Sequence, residues 1–263
     1  LQLTCVEQIK DGGWLCTEEQ LQLRVVKPLG CGGMSEVYQA ELLLQASDAA
    51  AAARPVLSTV LSEVAAPPTG MRMLAVKAPR LYEKLPPDTC AALSCDDYLF
   101  SVYAAFKKEL SVTRMAGTDT PHILRCFAYT LAKSGSQPQV PALVMQLAEG
   151  GNLQQQLTPA PEQYAGIDAV PAWEVMTQVA SALVALHTKA RVVYEDLKPG
   201  NILAVEEHGK LRYILADFGG CRRLGVGNTA AAGCVGGTAA YMTPEVAAEQ
   251  EHSITADTFS LGK

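Results

Sequence analysis

The spacing of apolar and polar positions changes character partway along the chain. Leu21 to Val26 alternates with the period of two that a half-buried strand requires. After Gly30-Cys31-Gly32-Gly33-Met34-Ser35 an extended pattern resumes from Glu36 to Leu42, which predicts a hairpin over a glycine loop. Met71 to Ala78, Ile123 to Leu131 and Ala142 to Leu147 read as three further strands. Between them, Asp96 to Met115 reads as a helix, with Leu99, Tyr103, Phe106, Leu110 and Thr113 on one stripe and Glu109 beside it. These elements make a mostly antiparallel small lobe with one helix. Ser47 to Gly70 is rich in Ala and Pro, is weakly patterned and is predicted to be a flexible insertion.

Beyond Gly150 the pattern turns helical. Asn152 to Leu157 is a short helical segment, and Thr158 to Val170 is a connector containing proline. Ala172 to Thr188 is a longer helix that buries Val175, Val179, Leu183 and Leu186. Leu211 to Ala216 is a short strand, and another helix begins near Ser253. There is no internal repeat.

With 263 residues, 49% of them hydrophobic, the chain can bury one large core or two separate ones. A net charge of -6 and a pI near 5.3 argue against a nucleic-acid-binding face, which would be basic. No apolar run reaches the length of a membrane span. Leu1-Gln2-Leu3-Thr4 has neither an initiator Met nor the basic-then-apolar pattern of a signal peptide, and reads as an internal start. The eight cysteines form no C-x-x-C pair and no zinc spacing with His, so free thiols in a reducing compartment are expected. The four histidines form no ligand cluster and read as packing or surface residues.

The chemistry concentrates in Tyr194-Glu195-Asp196-Leu197-Lys198-Pro199-Gly200-Asn201 and, soon after, Ala216-Asp217-Phe218-Gly219. One short loop holds an acid, a lysine and an amide, and a second acid stands beside a glycine. A carboxylate that orients an alcohol, a cation for a moving phosphate and two oxygen ligands for magnesium suit phosphoryl transfer. Gly30-x-Gly32-x-x-Ser35-x-Val37 adds a loop whose backbone can pass close to phosphates. The rival is a dinucleotide-binding turn, which needs a helix straight after the glycines, whereas Glu36 to Ala40 reads as a strand.

These segments resemble the protein kinase family, specifically its serine/threonine branch, from about Leu23 to Lys263. The resemblance implies an α+β, bilobal fold: a small antiparallel β lobe with one helix and a mainly helical large lobe, incomplete at the C-terminus. It divides the chain into an N-terminal extension (1–20), a small nucleotide-binding lobe (21–148, with an insertion at about 44–70) and a truncated large catalytic lobe (149–263). It implies ATP and Mg2+ as cofactors, a protein substrate with a Ser/Thr acceptor, and an intracellular setting, cytoplasmic or nuclear. No feature of the sequence sets an oligomeric state.

The resemblance also implies roles for single residues. Asp196 would orient the substrate hydroxyl and Lys198 would steady the transferred phosphate; Asn201 and Asp217 would bind metal. Lys77, in Leu74-Ala75-Val76-Lys77, would pair with Glu109 and hold the α- and β-phosphates. Gly30, Gly32 and Ser35 would cover the phosphates. Val37, Ala75 and Leu203 would pack on the adenine, with Met145 at the back of the pocket and the backbone of Gln146 and Ala148 at the adenine edge. Phe218 would pack under the helix bearing Glu109, Thr238 would bond near Asp196 and Lys198, and Asp257 would anchor the backbone of the catalytic loop.

The chain departs from the family pattern at Tyr194, where histidine is commoner, and at Glu195, where arginine is usual. That arginine often clamps a phosphorylated segment, and a glutamate would repel phosphate instead. Arg222 or Arg223 could pair with Glu195; the plainer reading is a solvated arginine pair. The pattern also lacks the family's later helices, which predicts an exposed apolar face and a low melting temperature. The leading functional reading is a serine/threonine protein kinase. The alternatives are a pseudokinase-like nucleotide-binding or scaffolding module without catalysis, and a small-molecule kinase, against which the Gly237-to-Glu245 segment argues because it resembles a peptide-binding shelf.

Overall fold

The computed structural model describes residues 2–10, 13–15, 20–32, 35–42, 72–80, 85, 87–92, 94–116, 120–133, 140–157, 169–207, 209–225, 227, 229–230, 238–248 and 250–263. The insertion at 44–70, Gly33, Met34, Gly237 and residues 158–168 of the connector lie outside the described residues. The chain divides into two compact units, Leu1–Leu110 with Arg125–Leu147, and Ser111–Leu124 with Ala148–Lys263.

The first unit is built on an antiparallel sheet of seven strands: β1 (Gln2–Lys10), β2 (Gly13–Leu15), β3 (Gln20–Cys31), β4 (Ser35–Leu42), β5 (Arg72–Pro79), β6 (Cys126–Lys133) and β7 (Val140–Met145). Their order is β2-β1-β3-β4-β5-β7-β6, and β1 also pairs with β6, so the sheet closes on itself and β1 has a bonded partner along both edges. The five strands expected from the alternation are all present; β1 and β2 come from residues read as an N-terminal extension. The predicted strand from Ile123 begins instead at Cys126. Ile123 and Leu124 are buried in the second unit, where Ile123 bridges Leu215.

Two helices accompany the sheet, α1 (Pro87–Ala92) and α2 (Cys95–Ala116). Ser94 caps α2: its Oγ accepts from the Asp97 amide at 3.1 Å and donates to Asp97 Oδ2 at 2.6 Å. Asp96 and Asp97 in the first turn and Arg114 in the last complement the helix dipole. Phe106, Leu110 and Thr113 of the expected stripe are buried, whereas in the first turns Tyr98 and Val102 are buried in place of Leu99 and Tyr103. Tyr103 is 43% exposed and meets Tyr129 edge-on at 5.8 Å between ring centroids. Glu109 is buried and turned to the sheet, where it meets Lys77.

The second unit holds the helices α3 (Leu153–Leu157), α4 (Ala169–Ala185), α5 (Pro244–Ala247) and α6 (Thr255–Leu261). Its short strands are β8 (Val192–Val193), β9 (Ile202–Glu207), β10 (Lys210–Leu215), β11 (Arg222–Arg223), β12 (Thr229–Ala230) and β13 (His252–Ser253). They pair antiparallel as β9–β10, β8–β11 and β12–β13. Val175, Val179 and Leu183 are buried along α4 as the 3.6-residue period requires, and Leu186 is buried just beyond it. The helix then widens into a π turn, Leu186–Ala190, which Arg191 closes with φ 55° and an N–H bond to the Leu186 carbonyl. Gly150 is needed at the start of this unit. Its amide donates to the Ala204 carbonyl at 3.0 Å, and a Cβ there would lie 2.8 Å from the Ala204 side chain.

Candidate active site

Register alone gathers one group of the predicted residues in the first unit. Val37 lies opposite Lys77 and Ala75 lies opposite Met145. Directly paired residues share a sheet face, as do residues two apart on one strand, so Val37, Lys77, Ala75 and Met145 all present to the same face. Gly30 is opposite Val37 on β3, and the Gly32 amide bonds the Ser35 carbonyl at 2.7 Å to tighten the turn between β3 and β4.

Lys77 sits on this face with its side chain 10% exposed, and Glu109 of α2 meets it with 1% exposed; Nζ and Oε2 are 2.8 Å apart. The Phe106 ring also faces the ammonium, 5.7 Å from its centroid. A buried ammonium is tolerable only with such a partner, which is why the two residues belong together despite their distance in sequence. Beyond β7, the Gln146 amide donates to the Arg125 carbonyl at 2.9 Å. Its own carbonyl and the Ala148 amide make no hydrogen bond among the described residues.

The second unit assembles the loop residues. Asp196 is the centre: Lys198 Nζ lies 3.0 and 2.8 Å from its two carboxylate oxygens. Asn201 Nδ2 donates to Asp196 Oδ2 at 2.8 Å and to the Asp196 carbonyl at 2.9 Å. Thr238 Oγ1 accepts from Lys198 at 3.0 Å and lies 3.5 Å from Asp196 Oδ1. Acid, cation, amide and hydroxyl thus meet at one point, although Thr238 is far away in sequence. The turn Pro199–Asn201 brings Asn201 back toward Asp196, and Leu203 follows on β9 opposite Ile214.

Asp257 supports the loop from beneath. Its fully buried carboxylate accepts from the Tyr194 amide at 2.8 Å and the Glu195 amide at 2.9 Å, and His187 Nε2 lies 2.7 Å away. The π turn carries His187, so this histidine is part of the loop's support rather than the packing or surface residue expected. Its sequence neighbourhood, an apolar helix end, gave no sign of the role.

Tyr194 stands at the position where histidine is commoner in the resembling family. It is fully buried, its hydroxyl donates to the Ala216 carbonyl, and its ring meets Phe218 edge-on at 5.9 Å. Burial chiefly, with the nearby Asp217, Cys221 and Asp196 charges adding to it, pushes the phenol well above its ordinary value. The hydroxyl is therefore a fixed donor at neutral pH. Through Ala216, whose amide bonds the Asn201 carbonyl at 3.0 Å, it braces Asp217, an exposed residue at φ 60°.

Glu195 and Arg222 form an ion pair at 3.1 Å, with the carboxylate 1% and the guanidinium 20% exposed. The plainer expectation of a solvated arginine pair fails at Arg222 and is met only by Arg223, which is exposed. Among the described residues, no three His, Cys, Asp or Glu side chains come together as a metal cage, and no helix is long and apolar enough to cross a membrane. Cys31 and Cys95 are exposed free thiols, Cys126 and Cys221 buried ones.

The chain is 36% identical over 131 residues to serine/threonine-protein kinase PknL of Mycobacterium tuberculosis (strain ATCC 25618 / H37Rv), an alignment covering 49% of the chain and 30% of that protein. It is 32% identical over 123 residues to the inhibitor of nuclear factor kappa-B kinase subunit alpha of Xenopus tropicalis, covering 47% of the chain and 16% of that protein. The subunit beta of Mus musculus is 30% identical over 123 residues, again with 47% and 16% covered. The matched region thus spans less than a third of each relative's length. Residues 101–263, more than half of the chain and including the whole Asp196 cluster, match the model of the protein kinase domain, and with a two-unit α+β fold around them the chain belongs to the protein kinase family.

Proposed function

We propose that this chain is the catalytic part of a serine/threonine protein kinase that moves the γ-phosphoryl group of ATP to a protein hydroxyl. The observation that carries the reading is the meeting of Asp196, Lys198, Asn201 and Thr238 at hydrogen-bonding distance. In the reaction the acceptor hydroxyl oxygen forms the new bond to phosphorus and the bond to the ADP oxygen breaks. The hydroxyl proton passes to the Asp196 carboxylate. Lys198 offsets charge on the transferred group, and Lys77, held by Glu109, binds the α- and β-phosphates.

The donor set suits magnesium. With Nδ2 committed to Asp196, Asn201 has Oδ1 to offer a cation, and Asp217 supplies an exposed carboxylate. Magnesium takes one or two such oxygens and completes its shell from phosphates and water, so no all-protein cage is required. When bound it would neutralise charge on the phosphates. Gly30, Gly32 and Ser35 serve the phosphates by backbone approach. Val37, Ala75 and Met145, which share one face of the first unit's sheet, serve the base by apolar contact, with the Gln146 carbonyl at its polar edge. The first unit acts as the nucleotide-binding lobe and the second as the catalytic lobe.

Transfer of label from γ-labelled Mg·ATP to a generic protein substrate tests this reading. Wild type transfers label to serine or threonine and Asp217→Ala does not. Magnesium-dependent nucleotide binding without transfer by wild type would replace the enzyme with a nucleotide-binding or scaffolding module.

A further inference from the structure

The Glu195–Arg222 pair joins two stretches that must hold still together. Glu195 directly precedes Asp196, and its backbone is in the left-handed region at φ 70°. The same conformation lets its amide reach Asp257 at 2.9 Å while the side chain turns inward. Arg222 stands on β11, three residues after Gly219. The ladder pairs Arg222 with Val193 and Arg223 with Val192, and the Leu224 amide extends it to the Arg191 carbonyl at 2.9 Å. Opposite faces of the two-residue strand then receive different treatment: Arg223 goes to solvent and Arg222 to the buried carboxylate.

Apolar contacts hold the same stretch. Val193, Ala230, Val246 and Ala256 are buried in one cluster, with Leu224, Met242 and Ile254 packed against it. The segment after Asp217-Phe218-Gly219 is thus tied down by a ladder, an ion pair and an apolar patch, all made by this chain. The counter-charge of Arg222 comes from within. A phosphoryl group brought to this place would meet the Glu195 carboxylate as well as the guanidinium, and like charges repel.

We infer that Glu195 is a positioning residue, whose buried carboxylate holds Arg222 and clamps the segment following Asp217-Phe218-Gly219 to the loop bearing Asp196, with no phosphate needed for the clamp. Its effect on rate rests on the kinase reading; its effect on local structure does not.

The test uses the full chain, with and without phosphatase treatment, and two readouts. Hydrogen exchange is measured across residues 220–225, and kcat and the Mg·ATP dissociation constant are measured in parallel. Glu195→Gln and Arg222→Gln each speed exchange at least about tenfold, because a local opening loses its tie. Each lowers kcat on the order of 10²-fold through displacement of Asp196, with nucleotide affinity held within about twofold. The double variant is no worse than either single one, the mark of a shared interaction. Arg223→Ala changes neither readout, and phosphatase treatment leaves wild type as it was. Should Glu195→Gln not fold, Arg222→Lys, which keeps charge but loses the planar fork, supplies the same two readouts. Unchanged exchange in the single variants, additive effects in the double, or a wild type that loosens on phosphatase treatment would each overturn the inference. If wild type moves no phosphate at all, the kinase reading fails while the exchange result still decides the clamp.

Discussion

Replacing Asp257 with alanine removes the acceptor for two buried backbone amides at once. Both amides, of Tyr194 and Glu195, lie within 2.9 Å of the carboxylate, and the residue itself has no solvent exposure. Each buried donor left without a partner costs about 1–3 kcal/mol, so the pair amounts to roughly 2–6 kcal/mol. The His187 contact at 2.7 Å is lost as well. Against a typical total stability of about 5–15 kcal/mol, such a loss brings the second unit near unfolding. Asp257→Asn keeps one oxygen but turns an NH2 toward the other donor, and so costs roughly half as much. Urea denaturation followed by circular dichroism gives the comparison: the midpoint falls in the order wild type, Asn, Ala while the slope stays constant. Hydrogen exchange at Tyr194 and Glu195 rises in the same order. An alanine variant within about 0.5 kcal/mol of wild type, the range of an inert surface change, would refute the reasoning.

Lys77→Met leaves the Glu109 carboxylate buried without its cation, and removing one member of a buried pair costs about 3–5 kcal/mol. Adding Glu109→Leu restores most of the melting temperature without restoring phosphate transfer; a double variant as unstable as Lys77→Met would contradict this. Tyr194 gives a pH signature. Its folded-state pKa is raised, so the stability it contributes is complete below the unfolded value of about 10 and is lost as pH rises past it. Melting temperatures taken from pH 8 upward fall more steeply above about pH 10 for wild type than for Tyr194→Phe, and parallel curves would show that this phenol is not responsible.

Much of the site is legible in sequence because phosphoryl transfer needs particular residue types at short spacing. Asp196, Lys198 and Asn201 lie within one loop and could be read together. The buried face of α4 and the five expected strands follow from period alone. Charge satisfied at a distance is legible only in part. The Lys77–Glu109 pair is expected from sequence, but period alone misses that the first turns of α2 bury Tyr98 and Val102 instead of Leu99 and Tyr103. Arg222 reads most plainly as half of a solvated arginine pair until the fold brings it to the buried Glu195 carboxylate. His187 carries no local mark of its partner, since Asp257 lies on another helix. β9 is absent from the expected strands because only its pairing with β10, from Ile202 onward, reveals it.

The central claim is that Asp196 orients an acceptor hydroxyl for phosphoryl transfer. It is tested most directly by the single-turnover rate of Asp196→Asn with saturating Mg·ATP and a protein substrate. Loss of a positioned general base predicts a rate lower by about 10²–10⁴-fold, with nucleotide affinity within about twofold of wild type. An asparagine variant that turns over as fast as wild type would contradict the account.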